Sequence, residues 1–189
     1  MVAQSRNPLS PAGVLLLVAG VLLAVALAVS VIKLPFGSWL YSLFEILFGV
    51  ALGYLAFRNV AGRIGRVALV IGGVGWILIA ALTINEIQTV NTFFSIVSNL
   101  PGGLGTVAEW VALLGTLVAG IRVHSRGLST SGPRFFLVST VIAALYLAVS
   151  LLPAINVIVI ASVVVLFAAS LVVTGLVFIR KPADLHATD

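Results

Sequence analysis

The sequence has no cysteine, one methionine, two histidines and only five acidic residues among 189. The missing cysteines exclude disulfides, thiolate metal sites and thiol nucleophiles together. His124 and His186 both lie outside the apolar runs, so a haem held between helices or an intramembrane zinc site would lack ligands. Charged residues make up 8% of the chain and hydrophobic ones 61%, with a mean hydropathy of +1.28. Soluble domains carry about 25% charged and roughly 45–50% apolar residues, and a chain of this size leaves much of its surface outside its core. So much apolar surface needs lipid as its solvent. The soluble enzyme classes are excluded, and the fold class expected is an all-α integral membrane protein.

A crossing helix needs roughly 20 apolar residues. Six stretches meet this need: 12–32, 39–57, 67–84, 104–121, 135–152 and 154–179. One uninterrupted helix over 135–179 is the alternative at the last break. It would far exceed a bilayer, and Pro153 cannot continue the ladder of the preceding helix without a kink. The whole chain therefore reads as a single domain of six transmembrane helices. Ala26-Leu27-Ala28 resembles a signal-peptidase site, but the apolar run before it is longer than a secretory h-region; the first span is expected to be retained.

Basic residues cluster in alternate connections. Arg6 precedes span one; Arg58, Arg63 and Arg66 separate spans two and three; Arg122, Arg126 and Arg134 separate spans four and five; Arg180 and Lys181 follow span six. Lys33 alone stands on the other side. Short Lys/Arg-rich loops stay cytoplasmic, which puts both termini inside and makes 182–189 a flexible cytoplasmic tail. The pI of about 10.5 then reads as a topology signal facing anionic lipid, not as a nucleic-acid surface. The lipid bilayer is the partner this composition implies.

Leu-Pro recurs at Leu34-Pro35, Leu100-Pro101 and Leu152-Pro153, each before an even-numbered span that ends at a basic residue. The spacing predicts three repeated helical hairpins. Small residues offer close packing, a main source of helix association in lipid. Gly49 and Gly53 form a GxxxG face in span two, Gly20, Ala24 and Ala28 line span one at spacing four, and Gly72, Gly73 and Gly75 thin span three around Trp76. Their ordinary use is packing within the chain; a homodimer seam, or docking in a larger membrane complex, is the alternative.

Three consecutive two-helix units, with Pro at the outer turn and Gly49 and Gly53 in the following helix, resemble the HdeD-like acid-resistance membrane proteins. The resemblance covers roughly 12–181. It implies a small bacterial six-span plasma-membrane protein associated with survival under acid stress, and it carries over no catalytic, cofactor or metal-binding residue. The chain departs from that pattern at 85–103, an outer connection much longer than a tight hairpin. Eight arginines against two lysines also fit a GC-rich bacterial genome.

Chemistry has few places to reside. Asp184 and Asp189 fall in the tail, and Glu86 in the outer loop. Glu45 lies about two turns inside span two and Glu109 about one turn inside span four. An intramembrane carboxylate is expensive and by default faces a bundle interior or a water-filled cavity. Glu45 and Glu109 are therefore the candidate ion, proton or polar pocket, with Ser162 or Val163 at the matching depth of the third hairpin. Pairing with Lys33, Asn85 or a backbone group, or snorkelling to outer headgroups, is the structural alternative. In the outer loop, Ile87, Val90, Phe94 and Val97 follow a helical stripe, which predicts either an interfacial helix that could cover that pocket or a continuation of span three. Asn156 and Thr174 are isolated polar residues in span six, expected to satisfy local groups. The chain contains no G-x-S-x-G elbow, H-E-x-x-H, Walker loop or Rossmann fingerprint. The reading is a non-enzymatic polytopic membrane protein without cofactors, serving stress tolerance. Two alternatives remain: a transporter, channel or substrate-binding transport subunit using Glu45, and an accessory subunit of a larger complex.

Overall fold

The computed structural model describes residues 9–34, 36–89, 103–126, 131–150 and 156–180. They form six helices and, among the described residues, no strand: α1 (Ser10–Val31), α2 (Gly37–Phe57), α3 (Gly62–Thr89), α4 (Gly103–Ser125), α5 (Ser131–Ser150) and α6 (Val157–Arg180). All six are long and apolar enough to cross a membrane. Val14, Val18, Val21 and Val25 stand exposed along one side of α1, and comparable apolar rows cover the other helices. This is the outer surface of a bundle whose solvent is acyl chain.

Each helix packs on the next in sequence, and α1 closes on α6. The result is a ring of six. Neighbours run in opposite directions: Gly13 meets Gly175, Gly49 meets Gly73, Gly72 meets Gly115, and Gly132 meets Phe178. One end of the ring therefore carries Arg58, Arg63, Arg66, Arg122, Arg126, Arg134 and Arg180, and the other end is poor in arginine. Lys181 and the 182–189 tail lie outside the described residues, as do the three prolines of the Leu-Pro pairs.

Backbone contact sets the ring's width. A Cβ on Gly13 would stand 2.8 Å from the Gly175 carbonyl oxygen, and one on Gly175 would stand 2.6 Å from that of Gly13. Gly49 and Gly73 oppose each other in the same way, at 2.7 and 2.8 Å. Helix α3 is thinned on two sides, with Gly73 toward α2 and Gly72 and Gly75 toward α4, which leaves Trp76 for the interior.

The small-residue readings divide. Gly49 and Gly20 pack within the chain, Gly20 against the Ala168 carbonyl. Gly53 has nothing within 4 Å of where a Cβ would be, although its backbone nitrogen stands 3.5 Å from where a Cβ on Gly73 would lie, and Ala24 and Ala28 are exposed; these two alanines do not take the seam position expected of them. The cause is the register of α1. Its buried row, Leu9, Ala12, Leu16, Ala19, Leu23 and Ala26, advances by alternate steps of three and four, matched on α6 by Val164, Phe167, Leu171, Thr174 and Phe178. That is the seam of left-handed knobs-into-holes packing. Contact glycines on it are seven apart, Gly13 and Gly20, whereas each step of four overshoots a turn by about 40° and carries Ala24 and Ala28 off the seam.

Helix ends also differ from the hydropathy limits. Helix α3 begins at Gly62 and runs on through Thr89, because no Gly or Pro interrupts the ladder after Ile84. Ile87 of the expected interfacial stripe thus belongs to α3, and 90–102 lie outside the described residues. Helix α6 is described from Val157, with the Asn156 side chain accepting the Ile158 N–H at 2.9 Å and capping the helix; residue 154 lies outside the described residues. Lys33 (φ 60°) ends α1 in a left-handed turn, its N–H bonded to the Ser30 carbonyl and that of Leu34 to Val29. This is a Schellman closure without the usual glycine.

Inserting a side chain at the α2–α3 contact forces the backbones apart, and overpacking of this kind typically destabilises by about 1–3 kcal/mol. Gly49→Leu is expected to lower unfolding stability in detergent by at least that much, and Gly53→Leu by less than about 0.5 kcal/mol. Comparing the two variants' denaturation midpoints tests the register directly; equal losses would contradict it.

Candidate functional site

Because the helices touch, the interior of the ring has room only for side chains, and aromatic rings fill its middle. Phe44 and Phe48 come from α2, Trp76 from α3, Tyr146 from α5 and Phe167 from α6. Ring centroids lie 5.6 Å apart for Phe44–Phe167, 5.1 Å for Phe48–Trp76, 5.8 Å for Tyr146–Phe167 and 6.1 Å for Trp76–Phe167. Most of these contacts are edge-on or tilted, the arrangement favoured by the ring quadrupoles. Phe44–Phe167 and Trp76–Phe167 join helices that are not neighbours in the ring, so the cluster plugs it. Trp76 is fully buried, stacks on Tyr146 at 6.2 Å, and donates its indole N–H to the Thr116 hydroxyl of α4 at 3.0 Å.

Toward the arginine-rich end the interior stays apolar, lined by Leu52, Leu55, Leu69 and Leu171 and by the stacked pair Phe136–Phe178. A hydroxyl pair, Ser139 and Thr174 at 2.8 Å, bridges α5 and α6. This confirms the local role read for Thr174.

Toward the arginine-poor end the interior holds one buried acid among apolar residues that include Leu23, Ala26, Ala80 and Leu147. Glu45 directly follows Phe44 and lies about 12 Å along α2 from its first residue. The residue is only 5% exposed, and its Oε2 has no hydrogen-bond partner among the described residues. Glu45 therefore does not snorkel to the headgroups, and that oxygen pairs with neither Lys33 nor a backbone group. Glu109, half-buried on α4, lies at a similar level. Gly49, one turn from Glu45, faces Gly73 and Ile77, and Ala112, three residues from Glu109, faces Gly75. The two carboxyls thus flank α3 just beyond Trp76, and Glu109 acts electrostatically on Glu45. Tyr146 is within electrostatic reach of Glu45, Tyr41 and Glu109. Tyr41 in turn has the Ser30 side chain as its hydrogen-bond partner.

The structure thus brings together the two carboxyls singled out by sequence and adds Tyr41 and Tyr146, which carry no sequence signal of their own. The third hairpin contributes no acid: Ser162 is exposed and bonds back to the Ile158 carbonyl at 2.8 Å, and Val163 is buried. No protein-family model, curated protein or solved structure matches this chain. The site has to be read from its own geometry. It consists of an unpartnered buried carboxyl, a second, half-buried acid at a similar level and two phenols, with the aromatic plug beneath them.

An unsatisfied buried acceptor costs about 1–3 kcal/mol. Glu45→Met, which keeps the length of the side chain and removes the acid, is expected to raise the unfolding midpoint by an amount worth about 1–3 kcal/mol. A loss of stability in thermal or denaturant unfolding would show that Glu45 contributes to the fold itself.

Proposed function

We infer that this is a stand-alone bacterial plasma-membrane protein, not an enzyme, that takes up a proton or cation at Glu45 from the outer side in a stress-tolerance role like that implied by the HdeD-like resemblance. The observation that carries the reading is the buried Oε2 of Glu45, the one buried side-chain oxygen or nitrogen left without a partner among the described residues. A carboxyl at this depth opposes membrane insertion by about 3 kcal/mol and has to be offset by use. Seven arginines at one end of the ring support the orientation: that end faces the cytoplasm by the positive-inside rule, both termini are inside, and Glu45 faces out. The apolar filling below Glu45 favours one-sided binding over an open pore.

A second reading rests on a different observation. Gly53, Ala24 and Ala28 are exposed, and the space where a Cβ on Gly53 would lie is open. That is the surface an accessory subunit would offer to a larger complex, or one copy to another. Native mass spectrometry of protein extracted from its own membranes separates the readings: a co-purifying larger polypeptide favours the accessory role.

Deleting the gene is expected to lower survival at low external pH. The wild-type chain should restore it, and Glu45→Gln, present at equal level in the membrane, should not. Equal survival of the deletion strain removes the stress role, and full rescue by Glu45→Gln removes the carboxyl from it.

A further inference from the structure

At the arginine-rich end of the ring, charge converges on the start of one helix. Arg63 and Arg66 lie among the first residues of α3, and Arg122 and Arg126 stand in and just past the last turn of α4. The second pair leans onto the first. The guanidinium carbon of Arg126 lies 2.5 Å from where a Cβ on Gly62 would stand, and the Arg122 Cβ 2.9 Å from where one on Gly65 would. Gly62, in the left-handed region at φ 68°, and Gly65 thus seat two arginines that a larger residue would push away. All four arginines are exposed.

No acid among the described residues answers them. Glu45, Glu86 and Glu109 all lie toward the other end of their helices, and the first turn of α3 holds no acid. Like charges one turn apart on a helix repel, and both Arg63 with Arg66 and Arg122 with Arg126 have that spacing. Sidedness in a membrane depends on how many basic residues flank a span. It does not require them to meet in space, so topology leaves this convergence unexplained. An anion among them offsets the repulsion. Guanidinium groups suit phosphate, whose oxygens accept paired N–H bonds, and Arg126, seated on Gly62, has less freedom to lose on binding one.

The level of the cluster selects the source of that phosphate. Arg66 is followed directly by Val67 and Arg122 is preceded by Ile121, both half or more exposed. These two residues begin apolar rows that face acyl chains. An anion at the arginines therefore has exposed carbon beside it on the membrane side, which is where a phospholipid headgroup lies above its own chains.

We propose that Arg63, Arg66, Arg122 and Arg126 form a site for the headgroup of one anionic phospholipid, where α3 and α4 meet at the arginine-rich end. Its chains run past Ile64, Val67 and Ile71 of α3 and Val118 of α4, all exposed. Arg134 and Arg180 carry charge at the same end but belong to helices that do not pack on α3, and they stand outside the site.

The test is native mass spectrometry of the full chain in detergent micelles, titrated with dioleoylphosphatidylglycerol or dioleoylphosphatidylcholine. The second lipid has the same phosphate and chains but adds a cation that the cluster repels. One phosphatidylglycerol per chain is expected to bind at least about tenfold tighter than phosphatidylcholine. Arg122→Gln with Arg126→Gln should weaken it about tenfold, and Arg63→Gln with Arg66→Gln likewise. Arg134→Gln with Arg180→Gln removes as much charge from the same end and should change binding less than about twofold. All six arginines are exposed, so these substitutions leave the packed interior intact. Equal affinity for the two lipids, an equal loss in all three double variants, or displacement of the lipid by inorganic phosphate at the same concentration would each overturn the proposal.

Discussion

Contact between backbones at paired glycines governs this molecule. Where Gly13 meets Gly175, Gly49 meets Gly73 and Gly72 meets Gly115, two helices come together with no side chain between them. In lipid no hydrophobic drive pushes helices together, so dispersion between close surfaces must hold them. Three such crossings in a ring of six keep the ring narrow. A narrow ring leaves an axial space that a few large side chains can fill, and five aromatic residues fill it. The plug follows from the glycines.

The plug in turn decides on which side of the ring's middle the buried acid lies. Phe44 and Glu45 are adjacent in sequence, one in the aromatic cluster and the other beyond it. The same turn of α2 that seals the middle of the ring therefore presents a carboxyl to one side of the seal. Trp76 has a comparable double role, with its ring in the cluster and its N–H bonded to Thr116, so α4 is tied to a centre to which it contributes no ring. Nothing in this arrangement needs a through-going path. The buried carboxyl sits above a solid core, and the arginines lie at the far end of that core.

Much of the fold was legible in sequence because hydropathy alone locates a helix in a membrane protein. The six spans, the sidedness of Arg58 through Arg180 and the depth of Glu45 all follow from counting residues. Facing was not legible. In α1 nearly every residue is apolar, so the buried row Leu9–Ala26 and the lipid-facing valines look alike, and a spacing of four seemed as good as seven for its small residues. Helix ends were less legible: where the ladder outlasts the apolar run, as at Asn85–Thr89 in α3, hydropathy left open an interfacial helix or a continuation of the span, and the structure has the continuation. For the site, the two glutamates stood out because acids are scarce. Tyr146 did not, since its relation to Glu45 depends on α5 and α2 lying across the same ring, a juxtaposition that no local pattern encodes.

Closure of the ring by α1 and α6 has a consequence for how the chain is made. The two helices that seal the bundle lie at opposite ends of the described chain, so α1 enters the bilayer long before its glycine seam has a partner. Until α6 leaves the ribosome, Gly13 and Gly20 face lipid or a chaperone, and the aromatic cluster lacks Phe167. Assembly is then a matter of waiting: five helices lie side by side as an open arc, and the last one both shuts the arc and completes its centre.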